Sequence, residues 1–294
     1  MNAVYKRELK AQMTSMYGLL FAAILLCVVA VVMYRINLQV GLADTSYNLM
    51  GFCEYALALT IPVLCMRSVT YDRKHGTDRL YFSLPLRTST VVLGKYFALL
   101  TVFAIPMAVI CLYPLFLNGF GNVNFSSAYT SILTFFLLGA ALIALCMFIA
   151  SLTRYMVVSA VTGVLSCALL YLMPHLAELI PYTSLASFVG FGILAILAIV
   201  IAWFSTKSPM VTAITAAVTV LPLTVLYVLD AFVFSWGIFE DPFYLLVKKF
   251  SPFGHFYSAV TEMYLDLFSV ATMLAFTAFF LLLTVQSMDR RRRV

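Results

Sequence analysis

The histidines of this chain are the first residues to test for metal binding or catalysis. The three of them, His75, His175 and His255, are far apart, and none belongs to an H-x-x-x-H or H-x-x-E pair. Zinc sites normally use closely spaced ligands of that kind. The G-x-S-x-G motif of a serine nucleophile is also absent from the sequence. The sequence therefore predicts neither a metal site nor an enzyme.

The Gly94-Lys95 pair invites comparison with a phosphate-binding loop. A Walker A motif needs a glycine five residues before Gly94 and Ser or Thr after the lysine, but Ser89 and Tyr96 occupy those positions. The chain therefore shows no nucleotide site or cofactor site of its own.

Glu54 is the acidic residue placed deepest within an apolar run. An ionisable group inside a membrane is costly and is a functional candidate by default. Gly51 and Ala58 share its helical face, so that face is predicted to pack closely against another helix. Two interpretations stay open: a gate or substrate contact, or a buried hydrogen bond between helices.

Composition sets the class of protein in which these residues lie. Of the 294 residues 64% are hydrophobic and 10% are charged, whereas soluble domains have about 45–50% apolar and about 25% charged residues. All six cysteines lie inside apolar runs, which favours packing over disulfides. The sequence predicts an all-α polytopic membrane protein.

The apolar runs give the number of spans. A transmembrane helix needs about 20 apolar residues. Eight runs qualify or nearly qualify: 17–35, 47–66, 97–117, 128–151, 156–174, 184–204, 210–229 and 268–287. Six spans are the alternative if one pair among the fifth to seventh does not cross. The first run has no small-residue cleavage site, so we interpret it as a retained span.

The basic residues give the orientation. When the eight runs are threaded alternately, all but three of the 18 Lys and Arg residues fall on the side of the N-terminus; the exceptions are Arg35, Lys248 and Lys249. Positive charge stays in the cytoplasm, so both termini are predicted to be cytoplasmic. Since orientation accounts for the basic residues, we predict no nucleic-acid partner.

Two segments outside the spans have amphipathic character, and we treat residues 1–294 as one permease-like membrane domain that includes them. Residues 1–16 combine basic residues with Val4, Leu9, Met13 and Met16, which is typical of an interfacial helix in contact with membrane lipid. Residues 230–267 end in helically spaced apolar residues: Phe256, Val260, Met263, Tyr264 and Leu267. This second helix is either interfacial or re-entrant, or it simply caps the outer surface.

The predicted cytoplasmic loop 67–96 is the most distinctive stretch. It holds many of the basic residues and an amphipathic block, 80–86. Gly76 interrupts a helical extension of the second span, and Pro85 ends a short helix. A short projecting helix of this kind is a handle for a partner; the alternative is a solvated loop that only sets topology.

These motifs together resemble those of the type-2 ABC (ABC-2) permeases, nearest the branch that includes gliding-motility and copper-enzyme-maturation permeases. After its second span that family has M-R-S, an acid followed by Arg, G-T, L-P and V-L-G-K. The chain has these in the same order and spacing: Met66-Arg67-Ser68, Asp72-Arg73, Gly76-Thr77, Leu84-Pro85 and Val92-Leu93-Gly94-Lys95. Tyr5-Lys6-Arg7-Glu8-Leu9 also resembles the family's opening, while Tyr71 and Arg79 replace acidic residues of its pattern.

The resemblance implies an ATP-driven exporter subunit in a plasma membrane, of bacterial origin. Its partners would be a cytoplasmic ATPase dimer, which binds ATP and Mg, and a second permease copy or paralogue. It also implies a coupling helix between spans two and three and six coupling positions: Asp72, Arg73, Gly76, Thr77, Leu84 and Pro85. Two alternatives remain open, a proton-coupled carrier that uses Glu54 and a non-transporting membrane binding or immunity protein. The substrate is not encoded in any motif.

Overall fold

The computed structural model describes residues 2–39, 52–74, 88–119, 123–179, 181, 183–206, 224, 242–262 and 266–292. Within these ranges every regular element is helical, as predicted. The chain divides into two compact units, Met1–Leu170 with His255–Val294, and Tyr171–Gly254.

The helices are named in chain order. They are α1 (Asn2–Met13), α2 (Met16–Met33), α3 (Glu54–Lys74), α4 (Thr88–Ile110), α5 (Tyr113–Leu117), α6 (Phe125–Leu152), α7 (Met156–Glu178), α8 (Ser184–Thr206), α9 (Pro242–Phe250), α10 (Pro252–Glu262) and α11 (Leu267–Arg292). A π-helical segment, Tyr34–Gln39, continues α2.

Five stretches of the described chain are long and apolar enough to cross a membrane: Met16–Asn37, Thr88–Leu117, Phe125–Leu152, Met156–Glu178 and Leu267–Arg291. They coincide with the predicted first, third, fourth, fifth and eighth spans. Helices α3 and α8 lie where the second and sixth were expected. The seventh run, 210–229, lies outside the described residues except for Thr224, so the total of eight stays a prediction.

Helix α6 forms the centre of the first unit and packs against α3, α4 and α11. Phe103 of α4 lies flat against it, stacked on Phe136 with ring centroids 5.5 Å apart. Gly139 makes this possible, because a Cβ atom there would lie 2.3 Å from the Phe103 ring. The absence of one side chain thus lets an aromatic ring fill the helix–helix contact.

Helices α3 and α6 run side by side in the same direction. Cys65 Sγ lies 3.9 Å from the carbonyl of Ile143, and further along Thr70 donates to the carbonyl of Ala150 at 3.5 Å. Alternate threading of spans two and four requires this parallel arrangement. The C-terminal end of α3 is therefore fixed against α6, the most buried helix of the unit.

The second unit contains the end of α7, α8, α9 and the first residues of α10. Phe243 of α9 packs edge-on against Phe191 of α8, with centroids 5.4 Å apart. Tyr171 and Phe253 make a similar edge contact at 5.6 Å. Aromatic contacts thus join α8 to α9 and the end of α7 to the start of α10.

Helix α10 contains only part of the predicted apolar stripe. Phe256 and Val260 are buried, and the Phe256 ring lies 6.0 Å from that of Phe135 in α6. Leu267 instead begins α11 and is 83% exposed. Including Leu267 in the stripe was wrong, because the helix ends before it; Met263 and Tyr264 lie outside the described residues.

Candidate functional site

Helix α1 is held against the start of α4. Ser15 caps α2 by accepting a hydrogen bond from the Gly18 N–H at 3.3 Å, so only a short turn separates α1 from α2. Val4 packs with Val91, and a Cβ atom on Gly94 would lie 3.2 Å from Val4 Cγ1. The two helices can approach this closely because Gly94 has no side chain.

Lys95 lies at the centre of a buried ion cluster beside this contact. Lys95 is 1% exposed, and its ammonium group contacts Asp72 Oδ2 at the end of α3. Nζ lies 3.2 Å from Glu8 Oε1 of α1 and donates to the carbonyl of Ser68 at 2.5 Å. Arg7 Nη2 approaches Asp72 Oδ1 at 3.5 Å from the half-exposed side. We call Arg7, Glu8, Asp72 and Lys95 the ion cluster.

The electrostatics of the ion cluster are balanced only when all members are present. Glu8 and Asp72 are both buried carboxylates, and Lys95 is the fully buried cation that contacts each of them. Removing charges from water is expensive, and a buried pair that loses one partner leaves the other uncompensated. The ion cluster therefore ties α1, α3 and α4 together at one end of the first unit, which we call the basic end.

The next residue fixes α3 on its other side. Arg73 Nη1 donates a hydrogen bond to the carbonyl of Thr153, the residue that ends α6. Asp72 and Arg73 thus fasten α3 to two neighbours just before residues 75–87, and Lys95 fastens α4 just after them. The helices on both sides of that segment are therefore held together by the contact between Asp72 and Lys95.

The predicted coupling residues fall into two groups. Asp72 and Arg73 have partners within the chain, and their coupling to an ATPase stays a prediction. Gly76, Thr77, Leu84 and Pro85 lie outside the described residues, as does the predicted coupling helix.

Sequence reasoning missed the role of Lys95 and Glu8. Each of the two residues belongs to a motif of the family pattern, so both were marked in the sequence. A motif does not show, however, which other motif it contacts in the folded protein.

The interfacial location of α1 stays a prediction, but one face of this helix is buried within the protein. Its buried residues are Val4, Glu8 and Gln12, whereas Met13 and Met16 are exposed. These three buried residues recur every four positions, so they share one face of the helix, and two of the three are polar. An apolar pattern could not indicate this face, because it packs against α4, where Lys95 contacts Glu8 and Val91 contacts Val4.

Glu54 begins α3, directly after Phe52 and Cys53. Residues 40–51 lie outside the described residues, so its depth within the second span stays a prediction. Glu54 is 1% exposed, and its Oε1 accepts a hydrogen bond from the Tyr257 hydroxyl at 2.6 Å. Within the described residues Oε2 has no hydrogen-bond partner. This contact between α3 and α10 agrees with the buried hydrogen-bond interpretation.

We expect Tyr257→Phe to lower the free energy of unfolding by about 1–2 kcal/mol, because a buried carboxylate loses its hydrogen-bond donor. Thermal and urea unfolding of the purified protein in detergent measure this.

The matched variant is Glu54→Gln. The glutamine amide oxygen still accepts a hydrogen bond from Tyr257 and the side chain carries no charge. The free energy of unfolding of this variant should therefore be close to that of the unsubstituted protein. A larger loss for Glu54→Gln than for Tyr257→Phe would show that the charge of Glu54, and not its hydrogen bond, is what the fold needs.

His255 also has a structural partner. It is buried, and Nδ1 lies 3.2 Å from Ser269 Oγ of α11. Among the described residues no group of three or more His, Cys, Asp or Glu side chains could hold a metal ion.

The helices and the site define a multi-pass helical membrane protein with a buried ion cluster that joins α1, α3 and α4. A family model for the "ABC-2 family transporter protein" matches residues 3–211. The chain belongs to that ABC-2 transporter family and is a membrane transport component. Searches of curated proteins and of solved structures found no match.

Proposed function

We propose that this chain is the membrane-spanning permease subunit of an ATP-driven exporter, with the basic end in the cytoplasm. A separate ATPase dimer would bind ATP and Mg and dock beneath it, and a second permease copy or paralogue would complete the pathway. Membership of the ABC-2 transporter family supports this proposal. The gliding-motility and copper-enzyme-maturation branch, a bacterial source and the plasma membrane belong to the same proposal.

One observation carries the mechanism: both ends of segment 75–87 are anchored by the ion cluster. Asp72 precedes the segment and Lys95 follows it, and the two are in contact. On α1, Arg7 contacts Asp72 and Glu8 contacts Lys95. A push on the segment cannot move α3 without α4 and α1. The ATPase would therefore move three helices as one unit, with Gly76 and Thr77 forming a turn and Leu84 and Pro85 shaping the docking helix.

Arg73 would connect this movement to a further helix. Its hydrogen bond to the carbonyl of Thr153 links the same end of α3 to α6, the most buried span of the described chain. Force applied at the basic end would thus reach the centre of the first unit.

Affinity purification from the source membranes tests the ATPase partner. A protein with a Walker A motif should copurify with the tagged chain and hydrolyse ATP. A variant with residues 75–87 replaced by Gly and Ser at equal length should insert into membranes but lose that protein. Equal recovery with both chains would contradict docking at this segment.

The carrier alternative predicts a different result. Uptake driven by a proton gradient in liposomes that contain only this chain, abolished by Glu54→Gln, would replace the exporter proposal. We do not favour it, because the hydrogen bond between Tyr257 and Glu54 already gives Glu54 a structural role.

A further inference from the structure

Arg67 belongs to the Met66-Arg67-Ser68 motif but takes no part in the ion cluster. The carbonyl of Ser68 accepts a hydrogen bond from Lys95, whereas the Arg67 guanidinium lies over two aromatic rings. Its Cζ is 5.3 Å from the ring centroid of Tyr71, one turn later on α3, and 5.9 Å from that of Tyr17 on α2. Two helices therefore hold this guanidinium in place.

Among the described residues, nothing uses the hydrogen-bonding capacity of Arg67. A guanidinium has five N–H donors, and within the described part of the chain Arg67 makes no hydrogen bond or ion pair. Stacking on aromatic faces leaves these in-plane donors available, and their fork geometry matches a phosphate group.

The location indicates which phosphate could reach Arg67. Tyr17 is the second residue of the span Met16–Asn37, so it marks the membrane–water boundary at the basic end, where tyrosine is typically enriched. Tyr17 and Tyr71 are 38% and 39% exposed, and the neighbouring Met16 is 76% exposed. The site is open at the level of lipid headgroups.

We propose that Arg67, between Tyr17 and Tyr71, binds the phosphate of an anionic phospholipid in the leaflet at the basic end. The guanidinium would contact the phosphate oxygens and Met16 the start of an acyl chain. The exposed Lys6 and Lys10 of α1 add positive potential at the same end, which favours an anionic over a zwitterionic headgroup. This inference rests on the membrane orientation in the proposed function but not on an ATPase.

Native mass spectrometry of the full chain, with phosphatidylglycerol or phosphatidylcholine added to the detergent, tests the site. We expect one phosphatidylglycerol per chain to remain bound at collision energies that remove phosphatidylcholine. Arg67→Ala should lose this lipid, and Arg67→Lys, which keeps the charge but not the fork, should hold it less well.

Arg154→Ala is the matched control. Arg154 is exposed, lies on the same predicted side of the membrane and has no aromatic contact among the described residues, so its removal should leave the lipid bound. Equal retention by Arg67→Ala and the unsubstituted chain would overturn the proposal. So would equal retention of the two lipids by the unsubstituted chain.

Two further measurements keep the test decisive. If Arg67→Ala fails to fold, Tyr17→Leu, which removes one ring and leaves the arginine, should lower lipid retention in its place; unchanged retention would contradict the site. Inorganic phosphate at millimolar concentration should not displace phosphatidylglycerol. Displacement would identify a site for soluble phosphate and would overturn the lipid assignment, while leaving the exporter proposal untouched.

Discussion

Lys95→Met should destabilise the protein by about 3–5 kcal/mol, because it leaves Glu8 and Asp72 buried without the cation that both contact. Methionine has a similar length and fills the space, so the loss reports charge and hydrogen bonding rather than a cavity. Unfolding in detergent measures the stability. Under the proposed function, ATP-driven export should be lost as well.

A triple variant separates the two effects of Lys95→Met. Adding Glu8→Gln and Asp72→Asn removes the uncompensated charges, so most of the lost stability should return. Export should not return, because α1, α3 and α4 are no longer tied together. Recovery of export in the triple variant would show that the ion cluster stabilises the fold without transmitting motion.

Lys10→Met controls for loss of a lysine from the basic end. Lys10 is exposed on α1, and surface substitutions usually change stability by no more than about 0.5 kcal/mol. A loss comparable to that of Lys95→Met would mean that net charge, rather than the ion cluster, determines stability.

The spans were predictable because a bilayer imposes length and hydropathy on each helix separately. The run 128–151 became Phe125–Leu152, and 268–287 became Leu267–Arg292. The helices extend beyond the apolar runs at their polar ends: α4 starts at Thr88, before the run that begins at 97, and α3 continues to Lys74, which agrees with the predicted helical extension before Gly76. An apolar run ends at its first charged residue, but the helix itself continues where its charged side chains form ion pairs or hydrogen bonds with neighbouring helices.

The site was predictable only in its parts. The motifs that contain Glu8, Asp72 and Lys95 were recognised, yet their meeting point depends on how α1 packs against α4. The partner of Glu54 lies 203 residues away in sequence, on a helix whose pattern gave no sign of the contact. Pairing across such distances is a property of packing, which a single sequence does not display.

Gly94→Leu should detach α1 from α4. A Cβ atom on Gly94 already lies 3.2 Å and 3.3 Å from Val4 atoms, so the leucine branch beyond it has no room. We expect a loss of about 3 kcal/mol, at the upper end for an overpacked core. The Glu8–Lys95 contact should break while Asp72 keeps its lysine, and export under the proposed function should fall without loss of membrane insertion.

Trypsin digestion and a second glycine make this result specific. Lys6, Arg7 and Lys10 lie on α1, so detachment should speed cleavage at those residues relative to the unsubstituted chain. Gly192→Leu is the matched control, because a Cβ atom there has no neighbour within 4 Å; its stability and cleavage should change little. If Gly94→Leu were cleaved no faster than Gly192→Leu, α1 would have stayed docked. The tight contact at Gly94 would then not be what brings Glu8 to Lys95.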